Sequence, residues 1–418
     1  MAANWLTPRR IRAHAIVLAA CLWGVCAIDF ATPGLFDRAG NIKFQDFLPS
    51  YISARFITQG RASELYNQPA TADAMQAVIT QSDADQSNRQ STLVLPNLYG
   101  PQVGLFFVPL ARFSFPVAAR IWVTASLFVF FACVYLVWKS CPALRSHFGM
   151  VAICAIAFPP LFHFFVRAQM SALVLACFTA AFLAFRADRS ALAGIALGFL
   201  IFKPQFLVAI PLVLLLSRAW KAFAGLVAAA GAQLVLARLY FGPTVMHAYF
   251  DTLWHLSRVI SAAELSLAPI QMHSLRSFWT LLVPFPEVAL GLYVLSSVAA
   301  IIAAAVIWRS SAPLAIRFSG LTLAAVLVNP HLFIYDLLVL APALLLLVDW
   351  ALTNPQQPYS AMLRVLAYLA FVLPLFGPLS RWTHLQLSVP VFVVLLWLLW
   401  RHSATSSHKL ASSESAVV

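Results

Sequence analysis

The tightest constraint on this chain is its succession of apolar runs, each close to the length that crosses a lipid bilayer. They cover 13–33, 117–138, 148–166, 169–186, 190–217, 220–241, 287–308, 314–329, 332–350, 361–378 and 385–401. About 20 apolar residues rising 1.5 Å each span the hydrocarbon core as a helix. A helix also satisfies its backbone N–H and C=O groups internally, as lipid requires. The pattern predicts an all-α polytopic membrane bundle of about 11–12 hydrophobic segments.

Composition agrees. Of 418 residues, 62% are hydrophobic and 10% charged, against roughly 45–50% apolar and about 25% charged in a soluble domain. The chain carries 27 Lys and Arg against 14 Asp and Glu, a net charge of +13. In a soluble protein that excess would suggest nucleic acid. Here the cations sit in short breaks between apolar runs, as in cytoplasmic loops, so no nucleic-acid partner is expected. The six cysteines fall within or beside apolar runs and form no CxxC pair, so neither a metal site nor a disulfide framework is read. The first run follows Arg9, Arg10 and Arg12 and reads as a retained span.

The 190–217 run decides the orientation. It is too long for one upright helix, and Lys203-Pro204-Gln205 divides it. A lysine facing lipid at mid-bilayer costs about 3 kcal/mol, and proline interrupts a helix. Read as a hairpin with a cytoplasmic N-terminus, the run leaves inside loops carrying Arg9, Arg10, Arg12, Lys139, Arg145, Arg186, Arg189, Arg218, Lys221, Arg309, Arg317, Arg364, Arg401 and Lys409, against Asp188, Asp349 and Glu414. A single span would put Arg218, Lys221, Arg309 and Arg317 outside, against the positive-inside tendency. The expectation is therefore a multi-pass protein of a bacterial inner membrane with both termini cytoplasmic. Residues 1–401 form one transmembrane domain with outer loops 34–116 and 242–286, and 402–418 form a disordered cytoplasmic tail.

That orientation brings polar residues from separate segments to one depth outside: Asp46, Arg167, Gln169, Lys203, Gln205, Asn329, His331 and Asp336. Residues 52–65 have the periodicity of an amphipathic helix on the membrane surface. The polar 67–92 stretch reads as a loop, with Asp73, Asp83 and Asp85 as solvated charges. A carboxylate such as Asp46 can take a proton from a hydroxyl, with Asp29 as rival base. Arg167 and Lys203 offer positive charge to a lipid phosphate. Gln169, Gln205, Asn329 and His331 offer hydrogen bonds to phosphate or sugar hydroxyls. Duller readings compete: Asp46 as a helix cap, Lys203 and Arg167 snorkelling to headgroups, His331 capping a helix end, and Asp336 balancing a buried cation.

The chain resembles glycosyltransferase family 87, membrane enzymes of the GT-C type. The resemblance lies in Asp46-Phe47 with Tyr51, Gly60 and Leu65-Tyr66, the Tyr99-Gly100-Pro101 to Pro109 run, Trp122, Gln169, Lys203-Pro204-Gln205, Gln271 to Ser274, and Pro330-His331 with Tyr335-Asp336. It implies a GT-C helix bundle with Asp46 as catalytic base. It also implies a polyprenyl-phosphate hexose donor (mannose in the similar mannosyltransferases) and a glycan or lipid acceptor. No cofactor is expected from the sequence itself, since no acidic pair with metal-ligand spacing stands beside Asp46. The family's usual Gly-Gln before the fourth span is here Ala168-Gln169. The alternative functions are a transporter or flippase of a lipid-linked or small solute, and a non-catalytic scaffold.

Overall fold

The computed structural model describes residues 6–82, 95–255 and 269–415, with side chains to residue 404. Asp83 and Asp85 lie outside the described residues. Helices dominate, and among the described residues extended pairing is limited to two isolated bridges, Phe36 with Ile42 and Met272 with Phe333.

In chain order the helices are α1 Pro8–Phe30, α2 Leu48–Thr58, α3 Gln68–Ser82, α4 Pro101–Phe107, α5 Phe115–Trp138, α6 Phe148–Ile156, α7 Pro159–Arg167, α8 Ser171–Arg186, α9 Ser190–Gly198, α10 Ile210–Leu216, α11 Trp220–Trp254, α12 Leu275–Leu282, α13 Pro286–Arg309, α14 Leu314–Val328, α15 Leu340–Thr353, α16 Ser360–Val372 and α17 Ser388–Ser415. Six helical stretches among the described residues are long and apolar enough to cross a membrane, and a seventh crossing counts Pro142–Ile156 with Pro159–Arg167, which meet at 48°. Shorter apolar helices fill the remaining predicted runs. The architecture is the expected all-α polytopic bundle.

Local sequence explains where helices start and bend. Thr7 accepts the Arg10 N–H and Pro8 opens α1, a cap followed by the one residue that loses nothing at a first turn. Pro159 and Pro160 force the bend between α6 and α7, since proline pushes the residue before it out of the helical region. α11 breaks at Gly242, where φ is 80° ahead of Pro243. A residue with a β-carbon would be strained there.

The Lys203 run folds back on itself. Gly194 of α9 lies against the Ala222 carbonyl of α11, and Gly198 lies against that of Leu226. Numbering rises together along the two helices, so they run parallel. The segment between them, including α10, must return to the starting side, as the hairpin reading requires. Lys203 stands at its tip.

Two apolar cores meet where Leu127 and Phe202 pack against both. The larger holds Phe178, Phe182, Phe206 and Phe318 among the membrane helices. The smaller joins residues from 35–123, where Phe47 packs on Phe107, Phe115 and Trp122. The helix expected over 52–65 runs as Leu48–Thr58 and is buried on most sides rather than lying open on a surface. The polar stretch expected as a loop is helical over Gln68–Ser82, where Thr71, Met75, Val78 and Ile79 turn one apolar face inward.

Candidate active site

At the seam between the two cores, three chain breaks converge. The first is the turn before α2. Phe44 takes a left-handed conformation (φ 62°), and Gln45–Phe47 form a single 3-10 turn. Phe47, 1% exposed, is anchored in the smaller core, which fixes the direction of Asp46 beside it. The second is the α7–α8 turn. Ala168 closes α7 at φ 57°, a conformation costing roughly 1–2 kcal/mol for a residue with a β-carbon. The Trp122 indole N–H donates to its carbonyl at 3.0 Å and holds the turn. The third is the hairpin tip at Lys203, which faces the two-turn 3-10 helix Ile334–Val339.

These breaks bring Asp46, Arg167, Gln169, Lys203 and Asp336 into one polar cluster. Gln169 donates from Nε2 to Asp46 Oδ2 at 2.8 Å. Its own Oε1 accepts from the Tyr99 hydroxyl at 3.1 Å and from the Met170 N–H at 3.3 Å, so the amide can present only its donor side to the carboxylate. Arg167 Nη1 stands 3.8 Å from Asp46 Oδ1. On the far side, Lys203 Nζ and the Ser171 hydroxyl both donate to Asp336 Oδ1, at 2.6 and 2.8 Å. The Lys203 ammonium also lies 5.4 Å from the Tyr335 ring centre.

Lys203 and Asp336 are each 2% exposed and closed on one another. This bears on the phosphate role read for Lys203, because its charge is already matched by Asp336. The accessible cation is Arg167, whose side chain is 39% exposed, beside Asp46 at 14%. Burial pushes the Asp46 carboxyl above the usual carboxylate range. Arg167, the Gln169 hydrogen bond and Lys203 pull it back, and Asp336 pushes it further up.

The other expected residues are less firmly joined. Asn329 is fully buried. Its Oδ1 accepts the His331 N–H at 2.8 Å, and its Nδ2 has no partner among the described residues. The His331 ring packs edge-on to Phe333 at 4.8 Å. Burial lowers its pKa, with Asp336 opposing and Lys203 and Arg276 adding to the shift. Gln205 is half-buried just past the hairpin tip and forms no hydrogen bond to the cluster. The rival carboxylate Asp29 accepts the Arg38 N–H at 3.2 Å at the end of α1, holding a loop. Among the described residues no three His, Cys, Asp or Glu side chains gather as a metal-ligand set.

Tyr99 and Ser171 were missed as site residues. Tyr99 stands inside the marked Tyr99-Gly100-Pro101 run, and Ser171 follows the marked Gln169 by two positions. The available signal was a hydroxyl next to each marked polar group. Tyr99 is positioned by its neighbours: the Tyr66 hydroxyl donates to its carbonyl at 2.7 Å, and Asn97 Oδ1 accepts its N–H at 3.3 Å.

Chemically the cluster offers one reachable carboxylate with a raised pKa, an exposed guanidinium beside it, and a sealed ion pair behind. That is equipment for taking a proton from a hydroxyl near an anionic group. No curated protein and no solved structure matches the chain significantly. The family model of glycosyltransferase family 87 matches residues 97–330, which contain the α7–α8 turn and the hairpin tip but begin after Asp46. With more than half its length matched, the chain belongs to glycosyltransferase family 87 and is a membrane glycosyltransferase.

Proposed function

We propose that this enzyme transfers a hexose, mannose first among the candidates, from a polyprenyl-phosphate donor to a glycan or lipid acceptor on the extracytoplasmic face of a bacterial inner membrane. The observation that carries this reading is the Asp46 carboxylate, held by Gln169 next to the exposed guanidinium of Arg167. Asp46 removes the proton from the acceptor hydroxyl as it attacks the anomeric carbon. The bond from that carbon to the donor phosphate breaks, and the polyprenyl phosphate leaves with the electron pair. Arg167 receives the phosphate, whose negative charge grows as the bond lengthens. Lys203 and Asp336, closed on one another, fix the hairpin tip behind the reacting groups. His331 and Gln205, both half-buried, take the sugar hydroxyls, and the fully buried Asn329 holds the His331 backbone in place.

The test is transfer of radiolabelled sugar from a polyprenyl-phosphate donor in membranes. Asp46→Asn is isosteric and cannot act as base, so transfer should fall about 100-fold or more at unchanged protein level. Asp46→Asn activity within a fewfold of wild type would remove Asp46 from the mechanism. Donor-independent solute uptake by the wild type, without sugar transfer, would support the transporter alternative.

A further inference from the structure

At the opposite end of α1 from Asp46 lies a cavity of about 730 Å³, within the roughly 300–1,000 Å³ typical of ligand sites. Its walls come from α1, α5, α6, α15 and α16. α1 and α16 are among the least buried of the long helices. They meet across the cavity where the His14 ring nitrogen and the Tyr368 hydroxyl share a hydrogen bond of 2.7 Å.

The lining has an order. Its polar members, His14, His147, Arg364 and Tyr368, stand within about two turns of the bundle end where α1 begins. Deeper in, toward Phe158 and Phe371, the walls are hydrocarbon. Among the described residues no Asp or Glu lines the cavity. Arg364 is half-buried, and among the described residues its Nε has no hydrogen-bond partner. A buried guanidinium N–H without an acceptor is costly unless something supplies one. A cationic rim at the N-terminal end of α1 above an apolar shaft matches the layout of a lipid: charge at the surface, chains toward the midplane.

We propose that this cavity binds one anionic glycerophospholipid, its phosphate on Arg364 and its acyl chains between α1 and α16. The lipid completes the packing of these two helices and is separate from the donor site at the other end of the bundle.

The full chain in detergent, incubated with phosphatidylglycerol or phosphatidylcholine of identical acyl chains, tests this by native mass spectrometry. The wild type should retain one phosphatidylglycerol per chain at least about tenfold better than phosphatidylcholine. Arg364→Gln should lose that preference and Arg364→Lys should keep most of it. Ala367→Trp, which fills the shaft, should lower retention of both lipids; Leu345→Phe makes the same test should the tryptophan variant misfold. Equal retention of the two lipids by the wild type, or an unchanged preference in Arg364→Gln, overturns the proposal. So does full displacement by inorganic phosphate, which would mean an anion site without chains. Sugar transfer is not the readout, so failure here leaves the reading of Asp46 standing.

Discussion

Asp46 is held by opposed influences, and they set a pH dependence. Burial raises its pKa above the ordinary value near 4, while Arg167 and the Gln169 N–H favour the charged form. A base works deprotonated, so activity should fall on the acid side as pH drops through that raised pKa. Removing the Gln169 donor takes away support for the carboxylate and raises the pKa further. Gln169→Leu should therefore move the acid limb of the kcat/KM profile to higher pH, with a smaller loss on the alkaline plateau. An unmoved limb would separate Gln169 from the base. Lys203 and Asp336 follow a different logic. Removing one member of a buried pair strands the other's charge at a cost of about 3–5 kcal/mol, so loss of activity in a single variant there reports folding as much as chemistry.

Among the elements, the α9–α11 contact sets the position of the hairpin. Gly194 has so little clearance that a β-carbon would stand 1.9 Å from the Ala222 carbonyl oxygen, and Gly225 meets the Ala191 carbonyl in the same way. Small residues let membrane helices approach closely where lipid gives no hydrophobic drive for association. Gly194→Ala should lower the unfolding temperature in detergent, with a loss of ~1–3 kcal/mol or more because the obstacle is backbone. Gly291 in α13 has open space around it. Gly291→Ala should be neutral or gain up to ~1 kcal/mol from helix propensity. If the two substitutions behaved alike, tight packing at α9 would be refuted. This element also shows what was legible. Lys203-Pro204-Gln205 marked the break because charge and proline are both costly inside one span. Asp336 was legible as the counter-ion of a buried cation, Lys203 or Arg167; which of the two it pairs with was not, because Lys203 and Asp336 stand 133 positions apart and only tertiary contact selects the pair. The α3 helix was missed because its polar stretch hides a narrow apolar face, and helix over 68–82 depends on burial against the smaller core.

For the whole molecule, charge counts along the chain predicted which segment ends share a face, and the ends carrying Asp46, Gln169, Lys203 and Asp336 do converge. The absolute orientation is checked by cysteine labelling in an otherwise cysteine-free chain. Asp73→Cys, exposed on α3, should react with an impermeant thiol reagent on intact cells. Lys221→Cys, exposed at the start of α11, should react only after the membrane is opened. The reverse pattern would invert the protein and place the Asp46 cluster on the cytoplasmic side.

The folded-back Lys203 segment and its neighbour break at nearly the same height. Gln233 Nε2 donates to the Gly198 carbonyl at 3.2 Å; from that level the 3-10 turn Phe199–Phe202 rises about 10 Å to Lys203, and α11 rises about 12 Å to its break at Gly242. Phe202 and Phe241, one just below each break, pack on the same smaller core. Any swing of the upper part of α11 about Gly242 is therefore transmitted to the Lys203 tip through shared aromatic packing, while the paired helices beneath stay locked by their glycines.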